Sequence, residues 1–270
     1  MSKETFSNRT SGDLREKDKQ KLLLYNRNVT CPVCGNSFNA RAIKKSSYRI
    51  LKRDSDFFIR YSIINPYFYD VWVCDDCGYA AIKNDFLHIS DYDADTVKNK
   101  ITPKWHSKNY PDVYNIDLAI QRYKLSLLNY YVIDARACKK AINFLKIAWM
   151  YRLKEDNKNE IKFLNQALKN FNAAYYNESL PICGMDRFTT MYLIGELMRR
   201  TGKEEDSLTW FSQVVTSTTA SSKIKNMARD QKNLVKDSLE NKPHAENQYQ
   251  QDEDTSRKNK THGFLSKFLK

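Results

Sequence analysis

Histidine and glycine are scarce in this chain, with 4 and 7 among 270 residues. The four histidines, His88, His106, His244 and His262, form no HExxH pair, and His88 and His106 read as surface or packing residues. No glycine-rich phosphate loop and no nucleophile elbow occurs either. No run approaches the roughly 18 apolar residues of a membrane-spanning helix. The opening MSKETFSNRT has no apolar segment, which reads against a secretory leader and for a cytoplasmic location. Carboxylates are plentiful, but none pair convincingly as acid and base. Asp54 and Asp56 read as holding a turn through side-chain-to-backbone bonds and an ion pair with Arg53.

What the chain does have is two short cysteine pairs, each followed by glycine: Cys31-Pro32-Val33-Cys34-Gly35 and Cys74-Asp75-Asp76-Cys77-Gly78. Thiolates at i and i+3 can face one ion, and glycine lets the chain turn so that amide N–H groups point at the sulfurs. Two such knuckles supply the four sulfurs of a closed tetrahedral site, so Cys31, Cys34, Cys74 and Cys77 are the candidate ligands. One structural Zn2+ is the first choice. Iron is the alternative, because CPxCG and CxxCGY also look like the two loops of rubredoxins, here in reverse order. Four protein ligands leave no open coordination position for hydrolysis. Cys138 and Cys183 stand outside the pairs and read as buried structural thiols. This cysteine usage suits a metal-bound cytosolic chain rather than a disulfide-stapled one.

The formal net charge is +13, which favours nucleic acid, anionic lipid or acidic proteins as partners. Arg41, Lys44, Lys45, Arg49, Lys52 and Arg53 crowd one stretch between the knuckles, near Tyr48 and Phe57, and form a candidate nucleic-acid patch. A blander reading, lysine scattered over a solvated surface, stays open. Asp85, Asp91, Asp93 and Asp95 follow the second knuckle.

Along the chain the pattern is α+β and mostly α. Residues 1–20 and 241–270 are polar ends, the second closing on Gly263-Phe264-Leu265-Ser266-Lys267-Phe268-Leu269-Lys270, a short amphipathic segment that could touch a membrane surface or a partner groove. Residues 21–112 read as a zinc-ribbon-like metal-binding domain, and 113–240 as an all-helical, tetratricopeptide-like domain. A helix over 13–27 leads in. Val29-Thr30, Ser46–Leu51 and Tyr69–Val73 have strand character. The 39 residues between Cys34 and Cys74 exceed the roughly 15–20 of ordinary ribbons, so the insert is an elaborated hairpin or small subdomain.

Apolar spacing predicts helices near 114–131, 135–154, 158–177, 187–201, 204–218 and 221–240. Gly195, Gly202, Ser207 and Phe211 have nearly the offsets of a tetratricopeptide repeat. Ala148, Tyr151, Leu164 and Ala167 fit an earlier copy, and Ala119, Tyr123 and Ser126 a still earlier one. Ala148 and Gly195 lie 47 apart against a standard period of about 34, so the repeats are elongated; a plain helical bundle is the alternative. In this register Arg152 and Arg199 fall on a groove-facing helix position, where two guanidinium groups would suit an acidic or carboxylate-terminated peptide.

Beyond the knuckles, Arg53-Asp54-Ser55-Asp56-Phe57, Asn65-Pro66-Tyr67-Phe68-Tyr69-Asp70-Val71-Trp72-Val73, Cys77-Gly78-Tyr79-Ala80-Ala81, Ala148-Trp149-Met150-Tyr151-Arg152 and Met191-Tyr192-Leu193-Ile194-Gly195-Glu196-Leu197 stand out as long motifs. Over roughly residues 28–220 the chain resembles the bacterial domain-of-unknown-function family twenty-two twenty-five. The resemblance implies a cytoplasmic bacterial protein with a metal-binding ribbon and tetratricopeptide-like helices, and it implies no activity. An interaction scaffold for a protein or peptide partner is therefore the leading expectation. Nucleic-acid binding through the basic insert is second, and a rubredoxin-like redox module third.

Overall fold

The computed structural model describes residues 17–45 and 47–241. Expectations for residues 1–16 and 242–270, including the segment 263–270, lie outside the described residues.

Three two-stranded antiparallel hairpins precede the long helices. Strand β1 (Leu24–Thr30) pairs with β2 (Ser37–Ile43) in an unbroken register from Leu24↔Ile43 to Thr30↔Ser37. Strand β3 (Arg49–Arg53) pairs with β4 (Ile59–Ser62), with a bulge between Ile50 and Lys52. Strand β5 (Val71–Val73) pairs with β6 (Ala80–Ile82). The knuckles are thus the turns of the first and third hairpins, and residues 54–58 are the tip of the second.

The expected helix over 13–27 is only partly present. Residues 17–22 are helical, but Leu24–Arg27 belong to β1. Ladder pairing with β2 and burial of Leu24 beside Ile64, Tyr69 and Tyr114 override the local helical pattern. The strand expected over Ser46–Leu51 forms later, as β3, and Tyr69 closes a 3-10 turn over Pro66–Tyr69 instead of starting a strand.

A single helical turn α1 (Lys83–Phe86) and helix α2 (Asp91–Lys100) follow β6. Ser90 caps α2 by accepting the Asp93 N–H, and Asp91 and Asp93 sit at the positive end of its dipole, which accounts for two of the four aspartates after the second knuckle. Six longer helices complete the chain: α3 (Ile116–Val132), α4 (Ala137–Leu153), α5 (Asn157–Asn177), α6 (Arg187–Arg200), α7 (Glu204–Thr216) and α8 (Ser222–Glu240). Their ends fall within two residues of those expected. Asn115, Asp156, Asp186 and Ser221 cap four of them by accepting an amide N–H three residues on. Successive helices pack on their chain neighbours. At Gly195 a Cβ would lie 3.0 Å from the Phe211 ring, so the absent side chain is what lets α6 meet α7 this closely.

Two apolar clusters meet at the third hairpin. Val71, Val73, Ala80 and Ile82 join Phe58 and residues of α3 to α6, such as Tyr123, Leu145, Ala148, Leu164 and Leu193. Trp72 and Ala81, on the opposite face, join the four-cysteine side with Val29, Phe38, Phe86, Val97 and Tyr130. The period of two in a strand makes β5–β6 a wall with one face in each cluster.

Cys138 and Cys183 are not separate thiols, as the sequence suggested. A disulfide joins them, with Cα atoms 5.8 Å apart, because α5 runs back along α4 and returns the loop before α6 to the start of α4. The pairing spans 45 residues and carries no local signal.

Candidate metal centre

The two knuckles have the same backbone. In the first, Gly35 N–H donates to Cys31 O (2.9 Å) and Cys31 N–H donates to Asn36 O (2.9 Å). In the second, Gly78 N–H donates to Cys74 O (3.0 Å) and Cys74 N–H to Tyr79 O (2.8 Å). Gly35 and Gly78 sit at φ +79° and +76°, the left-handed conformation that closes each turn. The hairpins stand so that the four sulfurs all lie within 4.8 Å of one another. Cys31 and Cys77 sulfurs are 3.6 Å apart, as are those of Cys34 and Cys74.

That spacing fits one tetrahedral ion. Metal–sulfur bonds of about 2.3 Å require sulfur–sulfur edges of about 3.8 Å. Cys31, Cys74 and Cys77 are buried and Cys34 is half-buried, so the centre is closed to solvent on most sides. Hydrogen bonds from Cys74 and Cys77 pull the Cys31 thiol down to about 4, against the opposing effect of burial. Contacts with the Cys31 and Cys74 sulfurs, together with burial, push the Cys77 thiol up. A thiophilic cation binding here would displace the thiol protons that remain.

Three residues outside the motifs fix the second knuckle. The Trp105 indole N–H donates to Asp75 O (2.7 Å), Thr102 Oγ1 to Cys77 O (3.1 Å) and Asn129 Nδ2 to Gly78 O (3.4 Å). A Cβ on Gly78 would lie 2.6 Å from the Trp105 ring, so the indole rests directly on the turn. Sequence spacing points to none of these residues, because their link to the knuckle is made across 25 to 51 positions.

The candidate groove arginines lie elsewhere and are already engaged. Arg152 donates to Asp56 Oδ2 (2.6 Å), Asp54 Oδ2 (3.1 Å) and Glu160 Oε1 (2.7 Å), and its side chain is 9% exposed. Arg199 and Arg200 both hold the buried Glu196, which accepts from Ser55 Oγ (2.6 Å). Tyr192 OH reaches Ser55 O, and the Trp149 indole N–H reaches Asp56. The tip of the second hairpin, Asp54-Ser55-Asp56, thus meets Arg152 and Arg200 directly, while Arg199 is bound to Glu196 of its own helix. The tip also corrects the reading of Arg53 as the ion-pair partner, since Asp54 pairs with Arg60 and Arg152. Phe57 packs on Tyr192 and is not available to stack on a base. Burial works to raise Asp56, but Arg152, then Arg200, outweigh it and hold the carboxyl below the usual range.

The basic insert is divided. Arg41 is committed to Asp112 and Asn26, and Lys44 to Leu22 O. Arg49, Lys52 and Arg53 lie on the exposed strand β3. Lys45 borders a hollow of about 370 Å³ with Tyr25, Tyr48 and Trp72, where Arg27 stacks 5.3 Å over the Trp72 ring. His88 and His106 are exposed and take no part in the sulfur cluster. No helix among the described residues is long and apolar enough to cross a membrane.

A family model described as "Uncharacterized protein conserved in bacteria (DUF2225)" matches residues 24–235, the same family that the motifs resemble. No curated protein and no solved structure matches the chain.

Proposed function

The chain belongs to that bacterial family, and on that premise we propose that it is a cytoplasmic, non-catalytic interaction scaffold built around one structural zinc ion. The observation that carries the reading is the closed set of four converging cysteines, three of them buried. Four thiolates in a tetrahedron suit zinc and leave no position for substrate or water. Helical and loop residues brace the second knuckle from behind, as expected of a centre that organises structure. The antiparallel helices from α3 onward, packed on their chain neighbours, form the frame that presents partner-binding surfaces. Elemental analysis of freshly purified, reduced protein tests the centre: one equivalent of zinc and a colourless solution are expected. Less than about half an equivalent of any metal would overturn it, and visible absorption would assign iron instead.

A second reading, nucleic-acid binding, is favoured by the hollow that sets Lys45 and Arg27 among Tyr25, Tyr48 and Trp72. Cations beside the exposed rings of Tyr25 and Tyr48 suit phosphates and stacked bases. Affinity for single-stranded RNA or DNA should then fall steeply with salt and drop in Tyr48→Ala. A flat salt response would exclude it.

A further inference from the structure

A groove runs beside the second knuckle, between the C-terminal end of α2 with the segment that follows it and helix α3. Its volume is about 670 Å³, and Leu125, Leu128 and Val132 form its apolar wall. These residues stand at i, i+3 and i+7, so they make one stripe along α3. Leu128 is 52% exposed. The opposite rim is cationic: Lys100, Lys104 and Lys108 border the groove, no carboxylate lines it, and none of the three makes an ion pair among the described residues. Past Leu125 the groove continues into an adjoining hollow bordered by Lys108, Gln121 and Lys124. From Gln121 to Val132 the helix rises about 16 Å, the length of a three-turn helix laid alongside it.

We propose that this groove binds an acidic amphipathic helix of a partner protein, a proposal that rests on the scaffold reading and names its partner class. Leucine-like residues spaced i, i+3 or i+4 and i+7 would cover the α3 stripe, and flanking carboxylates would meet the lysine rim. The groove is open to solvent along one side, which suits a helix that keeps its own polar face wet and leaves an acyl chain half uncovered. The chain's own segment 263–270 carries Lys267 and Lys270 and no acidic side chain, so the rim repels it. Trp105 lines the groove and is seated on the second knuckle through its bond to Asp75 O, so the binding surface depends on the metal centre for its shape.

Two synthetic peptides of about 12 residues with one leucine stripe, flanked by glutamate in one and lysine in the other, test this by fluorescence anisotropy on the full chain. The glutamate peptide is expected to bind at least about ten-fold tighter, with the advantage shrinking at high salt. In Lys100→Glu/Lys104→Glu/Lys108→Glu the preference should reverse, and Leu128→Asp should weaken both peptides. Equal affinities, no binding, or an unchanged preference in the triple variant would overturn the groove. Displacement of the peptide by phosphatidylglycerol vesicles would assign the surface to lipid and also overturn it. Metal is assayed on the same wild-type sample. A full equivalent of metal with no peptide preference defeats the groove and leaves the centre standing, whereas a preference intact in metal-free protein defeats the centre's role and leaves the groove.

Discussion

Arg152 lies among three carboxylates contributed by the hairpin tip and helix α5, with Asp56 wholly buried at its far side. Removing the guanidinium would leave Asp56 charged, buried and without its main partner. Such half-removed buried pairs cost about 3–5 kcal/mol, much more than a surface ion pair. Arg152→Ala is therefore expected to lower stability by about that amount in urea denaturation, while Arg53→Ala, on the exposed strand, changes little. The acid limb follows from the same group. Its folded-state pKa lies below its unfolded value of about 3.9, so its contribution is complete above that value and disappears as pH falls through the folded one. Stability of the native chain should thus fall below about pH 4, and Asp56→Asn, less stable throughout, should show a shallower fall. Parallel acid limbs for the two proteins would remove Asp56 from this role.

Elements that depend on their own spacing were readable from the residues, and elements that depend on a distant partner were not. Helices α3 to α8 announce themselves because each carries its apolar face at i, i+3, i+4 and i+7, and a capping Asn, Asp or Ser at four of the six starts. The four cysteines were readable because each knuckle is a local turn, although the meeting of the two turns is a tertiary fact. Strands β2, β4 and β6 have no pattern that distinguishes them before their partners are known. The tip of the second hairpin gave itself away only as a motif, since its ligands Arg152, Glu196 and Arg200 lie roughly a hundred or more positions away. Gly78 belongs to this class too. It reads as a turn glycine, and its φ of +76° requires one, but the indole of Trp105 on its open side makes a side chain there doubly unfavourable. Gly78→Ala should lower stability and shift Trp105 fluorescence, whereas Gly35→Ala, with nothing within 4 Å of the added carbon, meets only the left-handed backbone penalty of about 1–2 kcal/mol. Equal losses in the two variants would remove Trp105 from its bracing role.

At the scale of the molecule, the wall formed by β5 and β6 decides how far loss of the centre would spread. Trp72 and Ala81 draw their packing from the cysteine side, while Val71, Val73, Ala80 and Ile82 are held by the helices. Helices α4 to α7 pack on one another directly and bury Leu145, Ala148, Leu164, Ala167 and Leu193 with no cysteine among them. Without a cation, four sulfurs this close cannot all remain thiolate, and the hairpin β1–β2 loses the bond that ties its tip to the second knuckle. Metal removal is therefore expected to be a regional event. Hydrogen exchange of chelator-treated protein against the untreated chain should show protection lost over residues 24–43 and 71–105, and largely kept over 137–216. Cys74→Ser should give the same map without a chelator. Collapse of protection throughout would mean that the helices lean on the centre, and protection unchanged everywhere would mean that the sulfurs hold no structural ion; either result contradicts a two-sided wall with a metal on one face.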